Sequence, residues 1–186
     1  MAWYQGDYVI GQKLCSKSLS IADENISTER KKKNPRMSRH IKGKIYSLSV
    51  CGLLNMSTNN FLGARRDLVQ AADLARSAGL QTELATQYNN LGRAYLEFGL
   101  AKEAIKTFRK ALVIDQRLAD KFGLAYDLRN LGAGLGKINA RNAEKTLVNA
   151  LSLAREVQDK NNEMRTLFEL GRLYFRKKNY PSVKKK

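Results

Sequence analysis

The stretch TQYNNLGRAYLEFGLAKEAIKTFRKALVI, residues 86–114, decides the fold. Its apolar residues do not alternate. Leu84, Tyr88, Leu91 and Tyr95 recur at intervals of three and four, and Ala104, Ile105, Phe108, Ala111 and Leu112 do the same beyond Gly99. That spacing puts one apolar stripe on each of two helices of 3.6 residues per turn. Gly99 lies between them, where a helix commonly ends. The stretch therefore reads as a helical hairpin, with Asp115-Gln116 breaking the second stripe at its edge.

The same pattern recurs along the chain. Leu91-Gly92 aligns with Leu131-Gly132 and Leu170-Gly171, at steps of 40 and 39 residues, and a step of 40 backwards reaches Cys51-Gly52. Ala104, Phe108 and Ala111 correspond to Ala64, Leu68 and Ala71 in the unit before, and to Ala143, Leu147 and Ala150 in the unit after. One residue is deleted near Lys137 to Ala140. Gly11, Cys15, Ser18, Leu19 and Ile21 fit the second-helix columns of Ala104, Phe108, Ala111, Leu112 and Ile114. The reading is thus all-α. It has a partial unit with a second helix at 1–22, three full units at 41–80, 81–120 and 121–159, and a partial unit with a basic tail at 160–186. Helices are expected at 7–22, 41–57, 60–78, 81–98, 101–119, 122–137, 140–158 and 161–177, with Gly79, Gly99 and Gly123 in turns and a further helix starting at Asn179-Tyr180. From Ile21 to Gly52 the distance is 31 residues where other units have 18, so about thirteen are inserted. Segment 23–40, with its run Arg30 to Arg36, reads as a mobile basic loop.

Tyr88-x-x-Leu91-Gly92-x-x-Tyr95 followed by Ala104-x-x-x-Phe108 and Ala111 resembles the tetratricopeptide repeat, with Tyr for the usual Trp. The longer unit is similar to the repeats of MalT-like activators, Rap-type regulators and spindle-orientation adaptors. The resemblance implies a right-handed α-solenoid of antiparallel helix pairs, whose first helices line a concave groove that holds peptides. Carried over by register, the groove positions are Thr86, Asn89, Asn90, Arg93 and Glu97 around Gly92. Around Gly132 they are Tyr126, Arg129, Asn130, Ala133 and Lys137, and around Gly171 they are Arg165, Phe168, Glu169, Arg172 and Arg176. Around Gly52 they are Tyr46, Ser49, Val50, Leu53 and Ser57. Asn90 and Asn130 would grip a ligand's backbone through their amides. The arginines would read carboxylates through their planar forks.

Composition bounds the alternatives. The chain carries 34 Lys and Arg against 17 Asp and Glu, a net charge of +17. That field attracts acidic partners. The leading expectation is a non-catalytic scaffold for an acidic protein or peptide. The second is a partner-sensing segment of a larger signalling or transcription protein, and charge-driven nucleic-acid binding is the lesser alternative. Chain ends that fall in mid-repeat leave room for self-association through open solenoid ends. No membrane span, cofactor or metal is expected, and the expected setting is the cytoplasm, with the nucleus open to it in a eukaryote. His40 is the only histidine, so no His-based metal cluster or triad can assemble within the chain. Cys15 and Cys51 read as small buried hydrophobes. Gly132-Ala133-Gly134-Leu135-Gly136-Lys137 mimics a phosphate loop, but Leu131 and Ile138 stand where that loop needs glycine and Ser or Thr. Those glycines instead require a weak helix end or an unusually close neighbour.

Overall fold

The computed structural model describes residues 2–32 and 37–179. They form eight helices: α1 (Ala2–Lys32), α2 (Met37–Ser57), α3 (Phe61–Ser77), α4 (Gln81–Glu97), α5 (Ala101–Leu118), α6 (Lys121–Lys137), α7 (Ala143–Glu156) and α8 (Lys160–Asn179). The period is written into the backbone. Asn59, Gly79, Gly99, Ala119, Asn139 and Gln158 all have positive φ, between 52° and 80°. Each sits in the turn between two helices, where a left-handed residue ends the helix before it. Glycine adopts that conformation without cost and the others do not. The turn after α5 uses Ala119. Gly123, expected in a turn, instead lies in the first turn of α6, where its N–H donates to the capping Asp120 carboxylate at 3.0 Å. It must be small, because a Cβ there would lie 2.3 Å from Asp115 Oδ2.

The helices fall into two units, Met1–Phe98 and Gly99–Lys186. In the first, α1 and α2 are antiparallel. Ser18 and Ser47 hydroxyls meet at 2.7 Å, Tyr8 donates to Asn55 Oδ1 at 3.3 Å, and Lys44 pairs with Asp23. Helix α3 packs on α2 through Leu68, which covers Gly52 so closely that a Cβ on the glycine would be 2.7 Å from Leu68 Cγ. Met56, Ala64, Leu68, Leu91 and Ala94 form one core cluster. Helices α2 and α4 are tied by a Ser49 to Gln87 hydrogen bond of 2.6 Å.

The basic loop expected over 23–40 is corrected here. Residues 23–32 continue α1 and 37–40 open α2, while 33–36 lie outside the described residues. The inserted residues lengthen both helices of one hairpin. Ala22, Asn25, Ile26 and Glu29 are half-buried at helical spacing, so the extension keeps a packed face. Cys51 is buried, and burial pushes its thiol up to about 12, with its hydrogen bond to Cys15 acting the same way. Cys15 itself is only half-buried.

In the second unit α6 packs on α5, α7 and α8. A Cβ on Gly132 would be 2.6 Å from Leu147 Cγ, one on Gly134 would be 3.2 Å from Ile105, and one on Gly136 would be 3.4 Å from Leu173. Those three glycines answer to close neighbours. Ala64, Ala71, Ala104, Ala111, Ala143 and Ala150 are all at most 1% exposed, so the alanine column is the contact column in both units. Leu68, Phe108 and Leu147 fill the adjacent column, and burial of each contributes about 1.5–3 kcal/mol. Helix α7 starts at Ala143, three residues later than expected, after a turn at 141–142. Asn179 ends α8 and does not begin a new helix. The rest of the expected last helix lies outside the described residues.

Candidate functional site

On a helix that turns about 100° per residue, positions 46, 50, 53 and 57 of α2 cluster on one line, and their equivalents do so on α4, α6 and α8. In the first unit this line is open. Tyr46 is 71% and Val50 40% exposed, and Ser57, Thr86 and Glu97 are exposed. Leu53, Asn90 and Arg93 are half-buried at its base. The result is a mixed face, aromatic and apolar on α2, polar and basic on α4.

In the second unit the equivalent line carries Tyr126, Ala133 and Lys137 on α6, and Arg165, Glu169, Arg172 and Arg176 on α8. Arg165 and Lys137 are exposed, and Tyr126 and Ala133 are half-buried. Arg172 donates to Glu169 at 3.1 Å and lies 5.7 Å from the centroid of the Phe168 ring, which is itself 64% exposed. Arg176 spends one N–H on the Gly136 carbonyl at 3.1 Å. That bond caps the end of α6 and fixes the arginine's direction.

Four expected groove residues are not surface residues. Ser49 is 6%, Asn89 5%, Arg129 5% and Asn130 8% exposed. Arg129 donates to Asn162 Oδ1 at 2.8 Å and to Asn130 Oδ1 at 3.1 and 3.3 Å, and its guanidinium lies 4.2 Å from the Tyr126 ring centroid. Both assigned roles are corrected: Arg129 bridges α6 to α8, and the Asn130 carbonyl serves Arg129. For Ser49, Asn89 and Arg129 the physical reason is rotation, whereas Asn130 lies in the column of Val50 and Asn90 with its carbonyl bonded by Arg129. The column of Ser49, Asn89 and Arg129 sits about 60° off the open line, turned toward the adjoining helices. Only in α8, where nothing among the described residues covers it, does that column emerge, as Phe168.

Sequence reasoning also left out two exposed apolar faces. Met164, Leu167, Tyr174 and Phe175 are 46–68% exposed on α8, and Val9, Ile10, Leu14 and Ile21 are 49–62% exposed on α1. The repeat columns themselves held the signal, since several of these positions are covered in the other helices. At the edge of the α8 face, Tyr174 donates to Glu144 at 2.6 Å beside Lys177. The bonds from Lys177 and Tyr174 lower the Glu144 carboxyl below its usual range, and the Glu144 bond raises the Tyr174 phenol.

Antiparallel helix pairs on a 40-residue period, joined by left-handed turns and packed through glycine and alanine columns, define an α-helical repeat scaffold. The tetratricopeptide repeat model matches residues 86–117, which take in most of α4 and α5. By structure the chain is similar to BtubC (BKLC) from P. vanneervenii, with a TM-score of 0.68 and 18% identity, covering 87% of this chain and 66% of that one. It thus spans just under two thirds of that protein's length. It is also similar to the putative kinesin light chain TPR-like repeats of Podosopora anserina. One structure of those repeats, of a substituted form, gives a TM-score of 0.61 and a second gives 0.59. Both are 11% identical, covering 95% of this chain and 87% and 88% of theirs. No curated protein matches by sequence. The chain thus has an all-α repeat solenoid fold with a tetratricopeptide repeat match at residues 86–117, and such repeats generally mediate protein–protein interaction. Among the described residues no helix is long and apolar enough to cross a membrane.

Proposed function

We propose that this protein is a non-catalytic scaffold that holds an acidic peptide or protein segment along the open line of its first helices. The observation that carries the reading is the column that is exposed at Tyr46, Thr86 and Arg165 and half-buried at Tyr126, with Leu53, Arg93 and Arg172 two turns further along α2, α4 and α8. Each unit offers such a line. The first pairs an exposed aromatic and a valine with Asn90 and Arg93, and the second sets Arg165 and Arg172 around Phe168. The aromatic side chains supply apolar area, and the arginines supply charge-assisted hydrogen bonds to carboxylates. The net charge of +17 adds long-range attraction.

An array of acidic peptides supplies the probe. The strongest binder is titrated against the protein and against Arg93→Glu and Arg172→Glu, each in a folded chain. Loss of one charge-assisted bond costs about 1.5–3 kcal/mol, so each reversal should weaken binding by about tenfold or more. Unchanged affinity in both variants refutes the reading.

One observation favours a second reading. Helix α5 exposes Lys102, Lys106, Arg109 and Arg117 on its outer side. That basic face suits a phosphate backbone, whose binding would be sequence-tolerant and steeply salt-dependent.

A further inference from the structure

Helix α8 leaves open the face that α2, α4 and α6 cover. Met164 is 62% exposed, whereas Ile45, Ala85 and Ala125 in its column are at most 3% exposed. Phe175 is 68% exposed, whereas Met56 and Gly136 in its column are buried. Gly171 repeats the contrast. Its counterparts Gly52 and Gly132 lie directly under Leu68 and Leu147, yet among the described residues a Cβ on Gly171 would meet nothing within 4 Å. These columns are where a first helix receives the second helix of its own pair.

Helix α1 shows the converse. By register it is a second helix. Leu14 falls in the column of Asp67 and Thr107, which are 4% and 7% exposed, yet Leu14 itself is 62% exposed. Ile21 falls in the column of Leu74, Ile114 and Leu153, all half-buried, and is 49% exposed. Ile10, one turn before Leu14, is 57% exposed. This is the face a second helix turns toward its own first helix.

From this we infer that α8 of one copy receives α1 of a second copy, forming between molecules a helix pair that neither face makes among the described residues. Two observations favour α1 over an arbitrary amphipathic helix. The first is size. In the α2–α3 pair Gly52 of the first helix lies under Leu68, and the same register sets the large Met56 and Ile45 of the first helix opposite Ala64 and Ala75 of the second. The open faces repeat that order. Setting Gly171 antiparallel to Cys15, the register of Gly52 with Leu68, opposes Phe175 to Gly11 and Met164 to Ala22. Large residues on α8 then meet small ones on α1, which keeps the packed volume. The second is charge. The same register brings exposed Lys178 near exposed Asp7, and exposed Lys160 near exposed Glu24, at opposite ends of the pair. The contact is head-to-tail, so association is open-ended. It is independent of the peptide-binding reading.

Sedimentation of the full 186-residue chain between about 1 and 100 μM tests it, a range that captures dissociation constants worth about 6–8 kcal/mol. The mass is expected to rise with concentration above the 21.0 kDa of one chain. Phe175→Glu on α8 and Leu14→Glu on α1 should each abolish the rise, with helix content unchanged by circular dichroism because both sites are exposed. An equimolar mixture of the two variants should restore a 1:1 dimer, since each keeps one intact face. The inference is overturned if the unaltered chain stays at 21.0 kDa throughout. It is also overturned if the mixture stays monomeric, or if either variant alone still associates.

Discussion

Gly132 and Gly171 occupy one column of the repeat and meet opposite surroundings. Alanine at 132 would put its Cβ 2.6 Å from Leu147 Cγ and 3.3 Å from the Leu147 backbone nitrogen. Overpacking of that kind costs about 1–3 kcal/mol and outweighs the better helix propensity. At 171 nothing among the described residues lies within 4 Å, so only the propensity acts, worth about 1 kcal/mol in favour of alanine. Urea unfolding should therefore show Gly132→Ala destabilised and Gly171→Ala stabilised. Equal effects at the two sites would mean the shared register is wrong. Arg129 gives a second residue-scale expectation. Its truncation to alanine removes the donors to the buried Asn162 and Asn130 carbonyls, and unfolding should register a loss of about 2–4 kcal/mol. Any effect of that change on ligand binding then reports folding, which is why Arg93 and Arg172 carry the binding test. The sequence made the column of each of these residues legible. It did not make the rotation of the column legible, because a long arginine reads alike whether it reaches solvent or crosses to a neighbouring helix.

At the scale of elements, seven of the eight helices, α2 to α8, lie within a few residues of the positions read from periodicity, because apolar spacing and turn residues both repeat. The exception is α1. The insertion of about thirteen residues was legible from the distance between Ile21 and Gly52, but its form was not. The run of lysines near Pro35 suggested a loop, while the half-buried line of Ala22, Asn25, Ile26 and Glu29 extends the helix. A proline inside a helix costs about 3 kcal/mol or more. Asn25→Pro should therefore lower both helix content by circular dichroism and stability in urea. A loop at 23–32 would leave both unchanged.

At the scale of the whole molecule, two of the surfaces that carry positive charge are the open lines of the first helices and the outer face of α5. Composition alone favours neither. The distinction lies in what accompanies the charge. Tyr46, Val50 and Phe168 put exposed apolar area beside the open lines, which suits a peptide. On α5, of the residues flanking Lys106, Arg109 and Arg117, only Val113 and Leu118 are exposed large hydrophobics. The measurement that separates the two most directly is an NMR titration of the isotope-labelled chain with the strongest acidic peptide from the array. The account predicts saturable shifts at Thr86, Asn90 and Arg93 or at Arg165, Phe168 and Arg172. Shifts confined to Lys102, Lys106, Arg109 and Arg117, fading together as salt is raised, would contradict it.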